Sequence, residues 1–165
     1  MSEAKKINRP SLHIEAAYNR LKSVVTHTPL QYNSNLSRKY GCSIYLKRED
    51  LQIVRSYKLR GAYNMMSQLP QDLLAKGVVC ASAGNHAQGF AYSCKKLGVK
   101  GVVFMPIPSP QQKVKQTKMF GEDFVEVKLV GDTFDDTAKA AKAFTEANGM
   151  TFIPPFDHPS IIAGQ

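Results

Sequence analysis

Apolar positions along the chain change their spacing from stretch to stretch, and the changes read as strands alternating with helices. After a polar tail over residues 1–10, Ser11 follows Pro10 as a helix N-cap. Ile14, Ala17, Tyr18, Leu21 and Val25 then recur at helical intervals, with Glu15, Asn19 and Lys22 on the other side. Thr26-His27-Thr28-Pro29 breaks that helix, and His27 reads as an ordinary polar loop residue. Asn33 or Ser34 caps a short helix that ends at Tyr40, with Gly41 in the left-handed closing position. Ser43 to Lys47 alternates as a half-buried strand does, and Ala62, Met65, Met66 and Leu69 return to helical spacing. Pro70-Gln71-Asp72 opens another helix, which Gly77 ends.

From there the pattern repeats. A strand at Gly77–Ala81 leads into a helix at Asn85–Leu97 closed by Gly98, and Gly101–Met105 into Gln111–Phe120 closed by Gly121. Phe124–Val130 leads into Thr133–Asn148 closed by Gly149, and Thr151–Ile153 begins a last strand. Strands alternating with helices need crossover connections, which predicts an α/β fold: a parallel sheet with helices on both faces. Ligands of such sheets bind beyond the carboxyl ends of the strands, which directs attention to the turn after Gly77–Ala81.

That turn is Ser82-Ala83-Gly84-Asn85-His86. Strand, small-residue turn and helix start aim backbone N–H groups and the positive helix end at an anion, and the small side chains let a carboxylate or phosphate come close. Lys58, in Ser56-Tyr57-Lys58-Leu59-Arg60-Gly61-Ala62, lies between a strand-like run and a helix start. It has two readings, a solvated cation or a Schiff-base lysine that apolar neighbours such as Tyr57, Leu59 and Ala62 keep partly neutral. Local sequence leaves both open.

Composition narrows the picture. The chain has 165 residues, enough for one full core, and its 43% hydrophobic and 21% charged content is that of a soluble globular protein. With no long apolar run and a polar start, MSEAKKINRP, the sequence predicts a cytoplasmic protein without a membrane partner. Cys42, Cys80 and Cys94 form no CxxC pair and read as reduced thiols in or near the core. The net charge of +9 raises nucleic acid as a partner, but the cations are interleaved with acids, Lys113, Lys115 and Lys118 read as a solvated helix face, and no RNA- or DNA-binding module is present. Asp132-Thr133-Phe134-Asp135-Asp136 reads as helix capping before metal binding. Gly84 to Gly89 lacks the lysine of a phosphate-binding P-loop, and no GxGxxG occurs.

SYKLRGA followed by ASAGNHAQG resembles the pyridoxal-phosphate enzymes of the tryptophan-synthase-β type, also called fold type II, and within them the serine/threonine dehydratases. Lys47 to Gln52 (KREDLQ) and Phe152 to Gln165 (FIPPFDHPSIIAGQ) are most similar to the biosynthetic threonine dehydratases, or threonine ammonia-lyases. The motifs stand in family order from Thr28 onward.

The resemblance implies pyridoxal 5'-phosphate as cofactor, with Lys58 carrying its aldehyde and then serving as base on the substrate α-proton. Asn85 bonds the ring hydroxyl, and Ser82, Ala83, Gly84, Asn85 and His86 form the loop that receives the substrate carboxylate. It implies dehydration and deamination of L-threonine to 2-oxobutanoate and ammonia, the first step toward isoleucine, by a homo-oligomer that is usually a tetramer. Arg60 is expected in a structural ion pair, and Asp157 and His158 in a structural or junction role. Residues 1–55 correspond to an N-terminal part of the large cofactor domain, 56–160 to the small domain and 161–165 to the return toward the large one. The family's glycine-rich phosphate loop and ring-nitrogen partner come after Gln165, so this chain is expected to be an N-terminal piece of the catalytic region, incomplete for catalysis.

Two positions depart from the family pattern. Tyr57 replaces a frequent Phe and keeps the aromatic packing. Ala83 stands where racemases carry a serine as second base, and a methyl group moves no proton, which argues against a racemase. A serine-preferring dehydratase or racemase, and a catalytically inert small-domain module, are the competing readings.

Overall fold

The computed structural model describes residues 13–165; the polar tail and the Ser11 cap lie outside the described residues. Two sheets organise them. β3 (Val78–Ala81), β4 (Gly101–Met105), β5 (Val125–Leu129) and β6 (Thr151–Phe152) form a parallel sheet in the order β5-β4-β3-β6. β1 (Leu30–Tyr32) and β2 (Tyr45–Lys47) form a separate antiparallel pair.

Alternation along the strands builds a core on each face of the large sheet. Val78, Cys80, Val103 and Met105 point to one face, where α3 (Lys58–Met66), α5 (Asn85–Leu97) and α6 (Gln111–Gly121) add Met65, Met66, Ala87, Phe90, Cys94 and Val114. Val79, Ala81, Val102 and Phe104 point to the other, against Ala138, Ala141 and Phe144 of α7 (Phe134–Ala147). Helices therefore cover both faces, as the alternating pattern predicts.

The strand order contains a reversal. The chain steps outward from β3 through β4 to β5, then α7 carries it back so that β6 lies on the other side of β3. The reversal sets the carboxyl ends of β3 and β6 side by side, and the crevice outside such a switch point is where sheets of this kind bind ligands.

Helix boundaries follow local chemistry. α2 (Ser34–Tyr40) is capped by the Asn33 side chain, which accepts from Leu36 N–H, and Gly41 closes it at φ 65°. Gly98 closes α5 at φ 67°. α4 spans Gln71–Lys76, and Gly77 ends it as expected. Thr133 caps α7 by accepting from Asp136 N–H, with Asp135 and Asp136 in the first turn, the capping role expected of that acidic stretch.

Elsewhere the structure departs from the sequence pattern. β2 is exposed along its length instead of half-buried, because among the described residues its only sheet partner is β1; Tyr32 and Tyr45 meet edge to face at 5.4 Å on it. α1 (Ile14–Leu21) buries Ala17 and Leu21 but leaves Ile14 and Tyr18 exposed, and Val25 lies past its end. Cys42 is exposed at the end of α2, whereas Cys80 and Cys94 are fully enclosed. Gly121 belongs to α6 instead of stopping before it, as Val125 packs where its side chain would be. A further helix, α8 (Pro159–Gly164), has no periodic signal in its short span; His158 caps it by accepting from Ser160 N–H.

Candidate active site

Lys58 is the first residue of α3, and its side chain turns inward with only 7% of its surface exposed. It does not follow a strand directly, as the sequence pattern suggests. A 3-10 turn at Glu49–Leu51 and an irregular run through Tyr57 separate it from β2. Its position is fixed by close backbone packing instead. A side chain at Gly89 of α5 would come within 2.8 Å of Leu59 N and 2.9 Å of the Lys58 carbonyl carbon, so α5 approaches the start of α3 through a residue with no Cβ.

The amine reaches the switch-point crevice. Lys58 Nζ donates to Pro155 O at 2.8 Å and to Gln165 Oε1 at 3.4 Å, and it lies 4.1 Å from the centroid of the Phe156 ring. Burial holds its pKa below that of an ordinary lysine, which raises the neutral, nucleophilic fraction.

The Ser82–His86 turn leaves the end of β3 beside it. Ser82 N–H is taken up by Phe104 O at 3.0 Å, and Gly84 N–H turns back to Ser82 Oγ at 3.2 Å. Asn85 and His86 form the first turn of α5, where N–H groups have no partner within the helix and face the positive end of its dipole. Asn85 projects into solvent. His86 turns the other way, is 3% exposed, and places Nε2 3.0 Å from Ile153 O. Burial, with the Lys58 charge adding to it against the Ile153 hydrogen bond, pushes the His86 pKa down to about 4. The ring is therefore neutral at pH 7.

Arg60 makes the expected structural ion pair. Its Nε and one terminal nitrogen each lie 2.7 Å from the Glu49 carboxylate, which also accepts from Thr28 Oγ1 at 2.6 Å. Burial alone would raise the Glu49 pKa; the hydrogen bonds from Arg60 and Thr28, with the Arg60 charge, bring it below the usual carboxylate value. This cluster ties the 3-10 turn to α3 and so steadies the approach to Lys58. Asp157 is exposed in the loop before α8. No group of three or more His, Cys, Asp or Glu among the described residues is arranged to hold a metal ion.

The structure thus brings Lys58, the Ser82–His86 turn and the Ile153–Phe156 segment to one crevice. Pro155, Phe156 and Gln165 are partners of Lys58 that periodicity does not reveal. Their available signal is the Pro-Pro pair after a short last strand, which forces the chain out of the sheet at its carboxyl edge. Two buried polar atoms in this region, Ser56 Oγ and His86 Nδ1, have no hydrogen-bond partner among the described residues. A buried amine with a lowered pKa, unused donors at a helix start and an aromatic face form a donor set that fits an aldehyde cofactor and a carboxylate substrate.

Residues 21–165 match the family described as pyridoxal-phosphate dependent enzyme. The chain is 58% identical over 153 residues to L-threonine dehydratase biosynthetic IlvA of Bacillus subtilis, covering 93% of this chain and 36% of that protein. It is 55% identical over 152 residues to the protein of that name from Lactococcus lactis, again covering 36% of it. Processed threonine deaminase isoform 2 from Solanum lycopersicum superposes with a TM-score of 0.83 at 40% identity, over 94% of this chain and 44% of that one. Serine racemase from Dictyostelium discoideum superposes with a TM-score of 0.82 at 33% identity, over 92% of this chain and 48% of that one. The chain therefore spans about a third of the length of the curated relatives it matches.

Proposed function

The chain belongs to the pyridoxal-phosphate dependent enzyme family, and from that premise we propose that it carries the lysine and the carboxylate-binding turn of an L-threonine ammonia-lyase. The observation that carries this reading is the Lys58 amine, buried at the switch-point crevice and held below its ordinary pKa beside a helix N-terminus.

In this reading Lys58 would hold the cofactor aldehyde through Nζ, Asn85 at the mouth of α5 would bond its ring hydroxyl, and the cofactor would supply an electron sink for the substrate α-carbon. The N–H groups of the Ser82–His86 turn, chiefly those of Ala83, Asn85 and His86, orient the substrate carboxylate. The Lys58 amine would be the base placed to take the substrate α-proton. The β-hydroxyl leaves as water, and hydrolysis of the released unsaturated amine takes up one water and yields 2-oxobutanoate and ammonia. That oxo acid supplies isoleucine synthesis. Phe156 and the Pro-Pro turn keep bulk water from the amine while it holds the proton.

The same reading assigns residues 1–55 to the large domain, 56–160 to the small domain and 161–165 to the return, in a cytoplasmic homotetramer acting on a free amino acid. The free, enclosed Cys80 and Cys94 support a reducing compartment. A racemase is the second reading, favoured by the likeness to serine racemase; the Ala83 methyl, which carries no proton for the opposite substrate face, weighs against it.

The test is turnover by a chimera that joins this chain to the remaining length of the Bacillus subtilis relative. Formation of 2-oxobutanoate from L-threonine, abolished by Lys58→Ala and exceeding pyruvate formation from L-serine, is the expected result. Racemisation of serine without oxo-acid release would overturn the assignment.

A further inference from the structure

The segment that leaves β6 lies over Lys58 with few backbone donors of its own. Ile153 is fastened on both sides: its N–H donates to Val79 O at 2.8 Å, and its carbonyl meets His86 Nε2 at 3.0 Å. Pro154 and Pro155 follow, and neither has an N–H, so no sheet ladder extends past Ile153. Beyond it, the contacts that hold this backbone are Lys58 Nζ on Pro155 O and a turn in which His158 N–H donates to Phe156 O. Two side chains, His86 and Lys58, thus do what strand pairing does elsewhere.

The His86 bond fixes its tautomer. A carbonyl oxygen only accepts, so Nε2 carries the hydrogen and Nδ1 is an unprotonated acceptor. Nδ1 is buried and has no partner among the described residues. An aliphatic side chain would fill the same space without leaving a polar nitrogen unpaired, so the bond to Ile153 is the one contact that requires an imidazole here.

We propose that His86 is a positioning residue for Lys58: by holding the Ile153 carbonyl it fixes the Ile153–Phe156 segment, and that segment keeps the amine enclosed under the Phe156 ring. Its link to catalysis rests on the function proposed above, whereas the positioning itself does not. The depressed pKa of the ring, about 4, keeps the donor neutral and in place through the physiological range, and Lys58 is the charged group that acts on it. Loss of the bond frees a segment that has no other donor at Ile153 O among the described residues, and water then reaches Lys58.

The experiment is reductive methylation of the intact chain with formaldehyde and cyanoborohydride across a pH series, with peptide mass mapping, on wild type, His86→Gln and His86→Leu. Glutamine presents an amide N–H near the Nε2 position; leucine keeps bulk and offers no donor. The labelling midpoint of Lys58 is expected below that of the exposed lysines in wild type and His86→Gln. In His86→Leu it moves up toward theirs, read as a loss of Lys58 labelling relative to wild type at a fixed pH below the midpoint. An unmoved midpoint in folded His86→Leu, or equal shifts in both variants, overturns the proposal. Should His86→Leu not fold, nitrogen-15 NMR of the wild-type chain decides. An Nε2–H tautomer that resists protonation to near pH 4 upholds the proposal, and an Nδ1–H tautomer or titration near pH 6.5 defeats it. Neither measurement uses the cofactor, so a chimera without lyase activity would sink the proposed function and leave these outcomes standing.

Discussion

Lys58 shows how far a single residue can be read. The sequence offers a lysine with apolar neighbours at a helix start, and that much is local; its partners Pro155 and Gln165 lie about a hundred positions further on, and no local pattern announces them. Arg60 is the opposite case, since an ion pair with a carboxylate is the ordinary expectation for an arginine beside a buried helix, and Glu49 provides it at 2.7 Å. Removing one partner strands the other. Arg60→Ala is therefore expected to cost about 2–3 kcal/mol in urea denaturation, below the full range for buried pairs because both side chains keep 16% exposure. Glu122 is strained in a different way. It sits at φ 48° and ψ −130°, a region that glycine enters without penalty, and its compensating contact is an exposed ion pair with Lys95. Glu122→Gly should stabilise the chain by about 1 kcal/mol, read as a melting temperature roughly 2–4 °C higher.

Elements were the most legible scale wherever glycine marked their ends. Gly41, Gly98 and Gly149 all adopt the left-handed conformation expected of helix closers, and α5 and β4 have the limits that periodicity predicts. The β1–β2 pair was less legible because pairing joins distant stretches, and a three-residue strand leaves little alternation to count. The element contact that matters most for the site, α5 against the start of α3, depends on Gly89. Gly89→Ala puts a methyl group against the Lys58 and Leu59 backbone. The expected outcome is a loss of about 1–3 kcal/mol by denaturation together with weaker, less selective aldehyde labelling of Lys58. Ala91, on the same helix and fully enclosed, is the control position for a Gly substitution expected to destabilise α5 and leave Lys58 selectivity intact.

At the scale of the whole molecule, alternating strands and helices establish a parallel sheet, but the same alternation is compatible with several strand orders. The return of β6 to the side of β3 is decided by tertiary packing, and it creates the crevice into which the turn, the Pro-Pro segment and the amine converge. The molecule also carries the protonation state of that crevice into its stability. His86 binds a proton near pH 6.5 when unfolded and near pH 4 when folded, so between those values the unfolded chain holds more protons and stability rises with pH. Its contribution is present above pH 6.5 and is lost as the pH falls toward 4, on the order of 3 kcal/mol. Glu49, also depressed on folding, acts in the same direction as it protonates. Urea midpoints measured from pH 7 down to 4 should fall steadily, and His86→Gln should flatten the slope above pH 5.

The most direct test of the account is borohydride reduction after incubation with pyridoxal 5'-phosphate, followed by peptide mass mapping, on this chain and on the chimera extended past Gln165. Reduced cofactor concentrated on Lys58 in the chimera is the predicted result. Label spread over exposed lysines such as Lys115 and Lys118, with Lys58 no more reactive than they are, would contradict it.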